Sequence, residues 1–246
     1  MTKLPRVSAA GAAAAAVVAL LLAGAGHSKI GTAGTLVIDG EKVDVRWTDG
    51  DTLAIDSGPL AKKHARLADY NTLEAYGPVH RWGTWKAAEL YEIAKSAGAV
   101  AAATTWTCTT GGPDGEDGGY GRILLSCPNA AKAMVGAGLA HVFAIGHPAD
   151  PALLAIQADA QKRGAGIWAK GVPAVIITSV HSAAEGRGHP YNRVCDTHTG
   201  AAGESPHDKS YATCEEVCAG PAGADSCMVY VPFDHRYRDR PDCLLR

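Results

Sequence analysis

The sequence predicts an α+β fold: a small closed barrel of about five β-strands with about three helices, followed by a Cys-rich, irregular C-terminal extension. Three observations point there. Between residues 35 and 70, short segments alternate apolar and polar side chains and are punctuated by Gly and Asp, the pattern of a strand meander. Three later runs carry apolar residues at helical spacing. Of the seven cysteines, Cys108 and Cys127 bracket a Gly-rich loop and the other five fall after residue 190, so two separately stapled units are expected.

The first 26 residues read as a secretory leader. Lys3 and Arg6 give a positive start, an apolar run extends from Ala9 to Leu22, and Ala23-Gly24-Ala25 is a small-residue cleavage signal. The run is short and Ala-rich for a membrane span; a retained anchor is the alternative. Export makes the cysteines disulfide formers, and their odd number leaves one thiol free or paired between chains. Residues 27–34 form a Gly/Ser/Thr-rich junction, 35–170 the main folded unit and 171–246 the extension.

Strands are expected over 35–38, 43–47, 52–55 and 65–70. Trp82, Trp85, Leu90 and Ile93 then recur at three- and four-residue steps, so a helix is expected over 78–97, opened by Pro78 and closed by Gly98. Strands over 100–108 and 122–127 flank the loop TTGGPDGEDGGYG, and Cys108 is expected to pair with Cys127 across it. A short helix over 129–138, a strand over 139–145 and a helix over 150–164 starting at Asp150-Pro151 complete the unit. Ile167 and Trp168 would pack the last helix back onto the barrel. A small barrel with a helix inserted after its main meander is of the OB type. Beyond residue 171 the chain is rich in Gly, Ala, Ser, His and Cys with weak periodicity. A zinc knuckle from Cys195, His198, Cys214 and Cys218 matches no strong ligand spacing, so disulfides are favoured.

A formal net charge of −2 provides no basic field of the kind that marks a general nucleic-acid binder. Any recognition of a polyanion rests on a few placed cations. Three short motifs stand at strand ends: Asp49-Gly50-Asp51-Thr52, the stretch from Arg66 to Glu74, and Tyr120-Gly121-Arg122. Each has a plain reading. Asp-Gly is a hairpin turn; Arg66 pairs with Asp69 or Glu74 on a strand face; Glu74 is a solvated loop charge. Arg122 neutralises Asp114, Glu116 and Asp117, and Tyr120 covers the barrel mouth.

In combination and in order, the motifs resemble the staphylococcal-nuclease-like (thermonuclease) family over about residues 35–170. The family pattern is an Asp-Gly-Asp-Thr turn, then Arg-Leu followed by Asp-Thr-Pro-Glu, then Tyr-Gly-Arg. Here the middle motif is Arg66-Leu67 followed by Asn71-Thr72-Leu73-Glu74, with the Arg-to-Glu spacing of eight kept. The stretches Gly138-Leu139-Ala140 and Gly166-Ile167-Trp168 also match.

The resemblance implies phosphodiester hydrolysis of DNA or RNA with little sequence preference, and it assigns roles. Arg66 and Arg122 become rigid, always-charged forks for the phosphate oxygens, and Glu74 the general base. Asp51, Asn71 and the Thr72 carbonyl become hard oxygen ligands for Ca2+, and Tyr120 lines the substrate site.

Three departures bear on this. Asn71 stands where the family carries Asp, removing a negative charge from the metal site. Leu73 replaces Pro, loosening the loop that aims Glu74. Phe143 and Ala144 lie where the family has nucleotide-holding tyrosines, which reduces stacking.

The expected protein is therefore an exported, monomeric, calcium-dependent nuclease with a nucleic-acid substrate and no stable membrane partner. The alternative is an inactive barrel that binds nucleic acid or protein. A third reading makes the tail, with Arg236, Arg238, Arg240 and Arg246, an adhesive module. His64, His80 and His141 are expected at the surface or in packing, and the acidic loop 114–117 lacks the closing Glu of an EF-hand.

Overall fold

The computed structural model of the chain describes residues 31–112, 115, 117–186, 188–220, 225–236 and 243. The expected leader, Asp114, Glu116, Arg238, Arg240 and Arg246 lie outside the described residues.

The chain begins with β1 (Thr32–Ile38), β2 (Glu41–Trp47), β3 (Thr52–Ile55), β4 (His64–Leu67), β5 (Tyr70–Thr72) and β6 (Val79–Arg81). Then come α1 (Ala87–Ala102), β7 (Trp106–Thr110), β8 (Ile123–Ser126), α2 (Pro128–Gly136), β9 (Ala140–Val142) and α3 (Pro151–Lys162). Strands β1-β2-β3-β4-β8-β7 form a closed barrel, with parallel pairs where β1 meets β7 and β4 meets β8. Alternation sets which face is inside: Val43, Val45 and Trp47 of β2, Leu53 and Ile55 of β3, and Ala65 and Leu67 of β4 are all buried. Closure leaves the barrel without an exposed edge.

Six barrel strands replace the expected five or so. The expected strand over 65–70 breaks at Asp69, which takes a left-handed φ of +72°. The break leaves β4 in the barrel and sends β5 out to pair with β9, so 139–145 is not a barrel strand either. The first helix also differs. Pro78 precedes β6 instead of opening a helix, and α1 starts at Ala87, where the Glu89 carboxylate accepts the Lys86 N–H at 3.0 Å. Gly98 does not close it: the helix continues through an Ala-rich stretch of high helix propensity, and the expected strand over 100–108 begins only at Trp106. Helices α2 and α3 fall where expected, with the Asp150 side chain capping α3 through the Ala152 N–H at 2.8 Å. Ile167 and Trp168 form a short 3-10 turn buried against Leu90, Ala94 and Trp82, so they anchor α1 more than the barrel.

The extension is regular, against the expectation of little structure. Strands β10 (Val175–Ser179), β11 (Tyr191–Asp196) and β12 (Ala202–Pro206) form one sheet. Strands β13 (Glu216–Ala219) and β14 (Ser226–Val229) form a second, completed by β6 from the N-terminal region. Ile177, Val180, Val217, Met228 and Tyr230 make its core.

The expected Cys108–Cys127 disulfide is present, and Cys214–Cys243 and Cys218–Cys227 staple the extension. Two of the four knuckle candidates are thereby consumed. Cys195 is the free thiol among the described residues, buried at the seam with its sulfur 3.3 Å from the Val142 carbonyl. Glu216 lies beside Cys218 and Cys227, but those sulfurs are bonded to each other and Glu216 pairs with Arg81, so no thiolate set remains for a metal. Among the described residues no helix is long and apolar enough to cross a membrane.

A candidate anion-handling cleft on the barrel

The site grows from the turn between β2 and β3. Asp49 folds over this turn, and its Oδ1 accepts the backbone N–H groups of Asp51 at 3.1 Å and Thr52 at 2.7 Å. Gly50 is required by close packing: a Cβ there would stand 2.6 Å from the Thr72 methyl and 2.9 Å from the Met134 terminus. The Tyr70 hydroxyl donates to the Gly50 carbonyl at 2.8 Å. The motif is a hairpin turn, as its plain reading has it, and it also holds Asp51 rigidly against β5.

Asp51 is 1% exposed and fully engaged. One carboxylate oxygen accepts the Thr72 N–H at 2.6 Å, and the other accepts the Thr52 hydroxyl at 2.9 Å and lies 3.1 Å from the Arg66 guanidinium. Arg66 reaches it because it alternates with buried Ala65 and Leu67 on β4, opposite Thr52 on β3 and Leu124 on β8. The same guanidinium donates to Asn71 Oδ1 and stands 5.7 Å from the Phe143 ring centroid. Asn71 Nδ2 donates to the Thr72 carbonyl at 2.7 Å. The plain pairing of Arg66 with Asp69 or Glu74 is therefore replaced by Asp51 and Asn71.

Downstream of β5, Glu74 faces the cleft. Its backbone N–H points at His80 Nε2, 3.4 Å away. His80 and His141 are buried, as expected of packing histidines, whereas His64 is exposed. Burial holds both buried imidazoles neutral: His80 is lowered to about 3 and His141 to about 4. Burial and the Asp51 charge push Glu74 up to about 7, while Arg66, Arg236 and Arg122 pull it back. Asp49 is raised well above the usual carboxylate range by burial, by Asp51 and by Glu74.

Arg122 enters from the start of β8. Its Nε donates to the Gly119 carbonyl at 3.0 Å, and burial together with Arg66 lowers its affinity for its proton. The two arginines are thus close enough to repel, while Asp51, Asp49 and Glu74 offset part of that repulsion. Between Gly119 and Gly121, Tyr120 adopts a left-handed φ of +55° that a bulky residue seldom takes. It is 64% exposed, and its ring lies 5.7 Å from the Arg122 guanidinium.

The structure brings Arg66, Glu74, Arg122, Asn71 and Tyr120 to one cleft of about 1300 Å³, with Asp51 and Thr72 buried behind it. Its lining holds six Lys/Arg and four Asp/Glu, so a chain of net charge −2 presents a locally basic face here. Of the five exposed large apolar side chains among the described residues, Tyr120, Ile145 and Phe233 line this cleft. Phe143 and Ile145 face the cleft, and Ala144 between them is buried. Alternation therefore replaces the expected pair Phe143/Ala144 by Phe143/Ile145, and one aromatic surface is kept.

The donor set suits a hard cation in part. Asp51, Asn71 and Thr72 offer converging oxygens alone, and the Asp51 charge adds to burial in raising the proton affinities of Asp49 and Glu74, a repulsion a cation would relieve. Yet the Asn71 and Thr72 oxygens are already hydrogen-bonded by Arg66 and by Asn71 itself. With one carboxylate in the trio, the pocket favours weak binding.

Residues to which the sequence reading gave no role in the site complete it. Asp49 and Tyr70 build the turn, and their signal was the close Asp-Gly-Asp spacing. Arg193, Arg236 and His181 come from the extension; Arg236 was expected only as part of a tail module, and no motif marked the other two. No known family model matches the chain, and no curated protein matches it.

Proposed function

We propose that this chain is an exported, calcium-dependent phosphodiesterase of the staphylococcal-nuclease-like type, built on an OB-type barrel and hydrolysing DNA or RNA with little sequence preference. The observation that carries the reading is the convergence of Arg66, Arg122 and Glu74 on one basic, aromatic-edged cleft from three separate segments of chain. Three disulfides suit an oxidising compartment outside the cytoplasm.

In this reading the phosphate seats between the two guanidiniums, which spread their charge over its oxygens as negative charge moves outward in the transition state. Arg66 is fixed for this by Asp51 and Asn71, and Arg122 by the Gly119 carbonyl. Glu74, with its proton affinity raised to about 7, is matched to accept a proton from an attacking water near neutral pH. Asp51, Asn71 and the Thr72 carbonyl would hold Ca2+, which when bound supplies charge neutralisation and polarises a phosphate oxygen. Tyr120 and Phe143 offer ring faces to flanking bases. The test is hydrolysis of an unlabelled polynucleotide by the purified chain, with and without added calcium.

A second reading has one specific observation behind it. Because Asn71 Nδ2 satisfies the Thr72 carbonyl, the pocket closes on itself with no cation, as a barrel that only binds nucleic acid or protein would. Asn71→Asp separates the two. A carboxylate has no N–H for that carbonyl, so calcium would bind about tenfold more tightly, and hydrolysis would rise with it if the site is catalytic.

A further inference from the structure

The extension is placed against the cleft at two points. At the first point the Arg236 side chain lies over Gly77, where a Cβ would stand 3.3 Å from its Cδ, and it exerts an attractive field on Glu74. Arg236 itself is consumed in holding the extension together. Its guanidinium donates to the Val180 carbonyl and the buried Glu185 carboxylate, each at 3.2 Å, and to the Val231 carbonyl at 3.1 Å.

At the second point the Tyr191 hydroxyl lies 3.1 Å from the Tyr120 hydroxyl. Tyr191 also orients Arg193. The guanidinium donates to the Tyr191 hydroxyl at 3.1 Å and lies 5.3 Å from that ring's centroid. Arg122 stands against Tyr120 in the same way, at 5.7 Å. A Tyr–Tyr pair therefore separates two arginines, one from the barrel and one from the extension, and both line the cleft.

Arg193 differs from Arg236 in how it is used. Its acidic contact is a single 3.3 Å approach to Glu204, whose side chain is 53% exposed. A water-exposed pair of this kind is weak and yields to a phosphate, which takes a guanidinium fork better than one carboxylate oxygen at the edge of contact. The irregular register between Ile177 and Ser179 on β10 brings Thr178 and Ser179 to the cleft beside it. Phe233 adds a half-exposed ring to the cleft, 5.6 Å from the Arg236 guanidinium. A cation on a fixed aromatic with a second ring nearby is the composition of a strand-binding surface.

We infer that the C-terminal extension carries a second phosphate subsite, centred on Arg193 and oriented by Tyr191, which holds a neighbouring phosphate of the same nucleic-acid strand whose reacting phosphate lies between Arg66 and Arg122. The inference rests on the phosphodiesterase reading for the identity of the ligand. It makes the extension part of the substrate cleft, and it makes the preferred substrate a polynucleotide strand in place of a small diester.

The test measures equilibrium binding of fluorescein-labelled oligothymidylates, a dinucleotide and a 12-mer, to the full chain carrying Glu74→Gln, in calcium, across a salt series. Without further change, the 12-mer binds at least tenfold more tightly than the dinucleotide. Adding Arg193→Ala removes most of that advantage and makes the salt slope shallower by about 0.7, the value for one single-strand phosphate contact. Glu204→Ala, on an exposed residue, tightens the 12-mer severalfold, a gain that a misfolded protein does not give. A length advantage that survives Arg193→Ala, or a Glu204→Ala variant that leaves 12-mer affinity unchanged, overturns the subsite. Hydrolysis of the same 12-mer by the unmutated protein is scored separately. Cleavage without Arg193-dependent binding removes only the subsite; Arg193-dependent binding without cleavage removes only the hydrolytic reading.

Discussion

The barrel and the extension reach order by different routes. The barrel closes on itself and buries Leu36, Val45, Leu53, Ile55, Leu67 and Leu125, with one disulfide between β7 and the start of α2. The extension has two open three-stranded sheets and a small core around Ile177, Met228 and Tyr230, held by two disulfides. It also borrows β6 from the N-terminal region and docks at Ala144 through backbone hydrogen bonds to residues 200 and 202, each 2.8 Å. The barrel can therefore hold a buried charge network at its surface, while the extension depends on covalent ties and on the barrel beside it. The cleft lies where the two meet: the barrel brings Arg66 and Arg122 to it, and the extension Arg193 and Arg236.

The largest expected effect breaks the barrel's half of this contrast. Arg66→Ala leaves the Asp51 carboxylate buried beside Asp49 without its cation. Removing one partner of such a pair costs about 3–5 kcal/mol, which denaturant unfolding without calcium would register as a large drop in midpoint. A Glu204→Ala control in the extension should leave that midpoint nearly unchanged. Next come the disulfides. Opening Cys108–Cys127, which spans 19 residues, should cost about 3 kcal/mol by loop entropy, and opening Cys218–Cys227, which spans 9 residues, about 2.5 kcal/mol. The smaller loss should do the greater local damage, because the extension has less core to fall back on. Proteolysis after Cys218→Ser/Cys227→Ser should clip 210–230 first and leave the barrel intact.

The extent to which the chain could be read beforehand follows the same division. Strands β2, β3 and β4 were legible because each buries one face only, so alternation in sequence reports the inside of the barrel. Arg66, Glu74 and Arg122 were legible because three motifs kept their order and spacing. Strand β6 was not, since its partner β14 lies about 150 residues away and Pro78 suggested a helix start. The break at Asp69 was hidden because nothing local marks a left-handed Asp. Arg193 and Tyr191 carried no motif: their place depends on how the extension meets Tyr120.

A pH-dependent effect sharpens the contrast at the seam. His80, on the borrowed strand β6, is kept neutral by burial, its pKa lowered to about 3 from the ordinary 6.5. In the unfolded chain it protonates near pH 6.5; in the folded protein it does not until about pH 3. Its contribution to stability is thus fully present above about pH 6.5 and is lost as pH falls towards 3, at about 1.4 kcal/mol per pH unit. Glu74 runs the other way, since its raised pKa of about 7 makes the folded protein bind the proton more tightly between about pH 4.5 and 7. Subtracting the stability of His80→Gln from that of the unmutated protein isolates the histidine. The difference should fall steadily below pH 6.5, and a flat difference would mean that His80 is solvated. The smallest expected effect concerns the metal. Asn71→Asp should tighten calcium about tenfold by isothermal titration, equivalent to about 1.4 kcal/mol.

The central claim is that Glu74 serves as the base for phosphodiester hydrolysis between Arg66 and Arg122. Its most direct test is the single-turnover rate of cleavage of a single-stranded oligonucleotide in calcium, for the unmutated protein and for Glu74→Gln. The account predicts measurable cleavage that falls by about 10²–10⁴-fold on removal of the base, with oligonucleotide binding retained. An unmutated protein that cleaves nothing, or a Glu74→Gln variant that cleaves at the same rate, would contradict it.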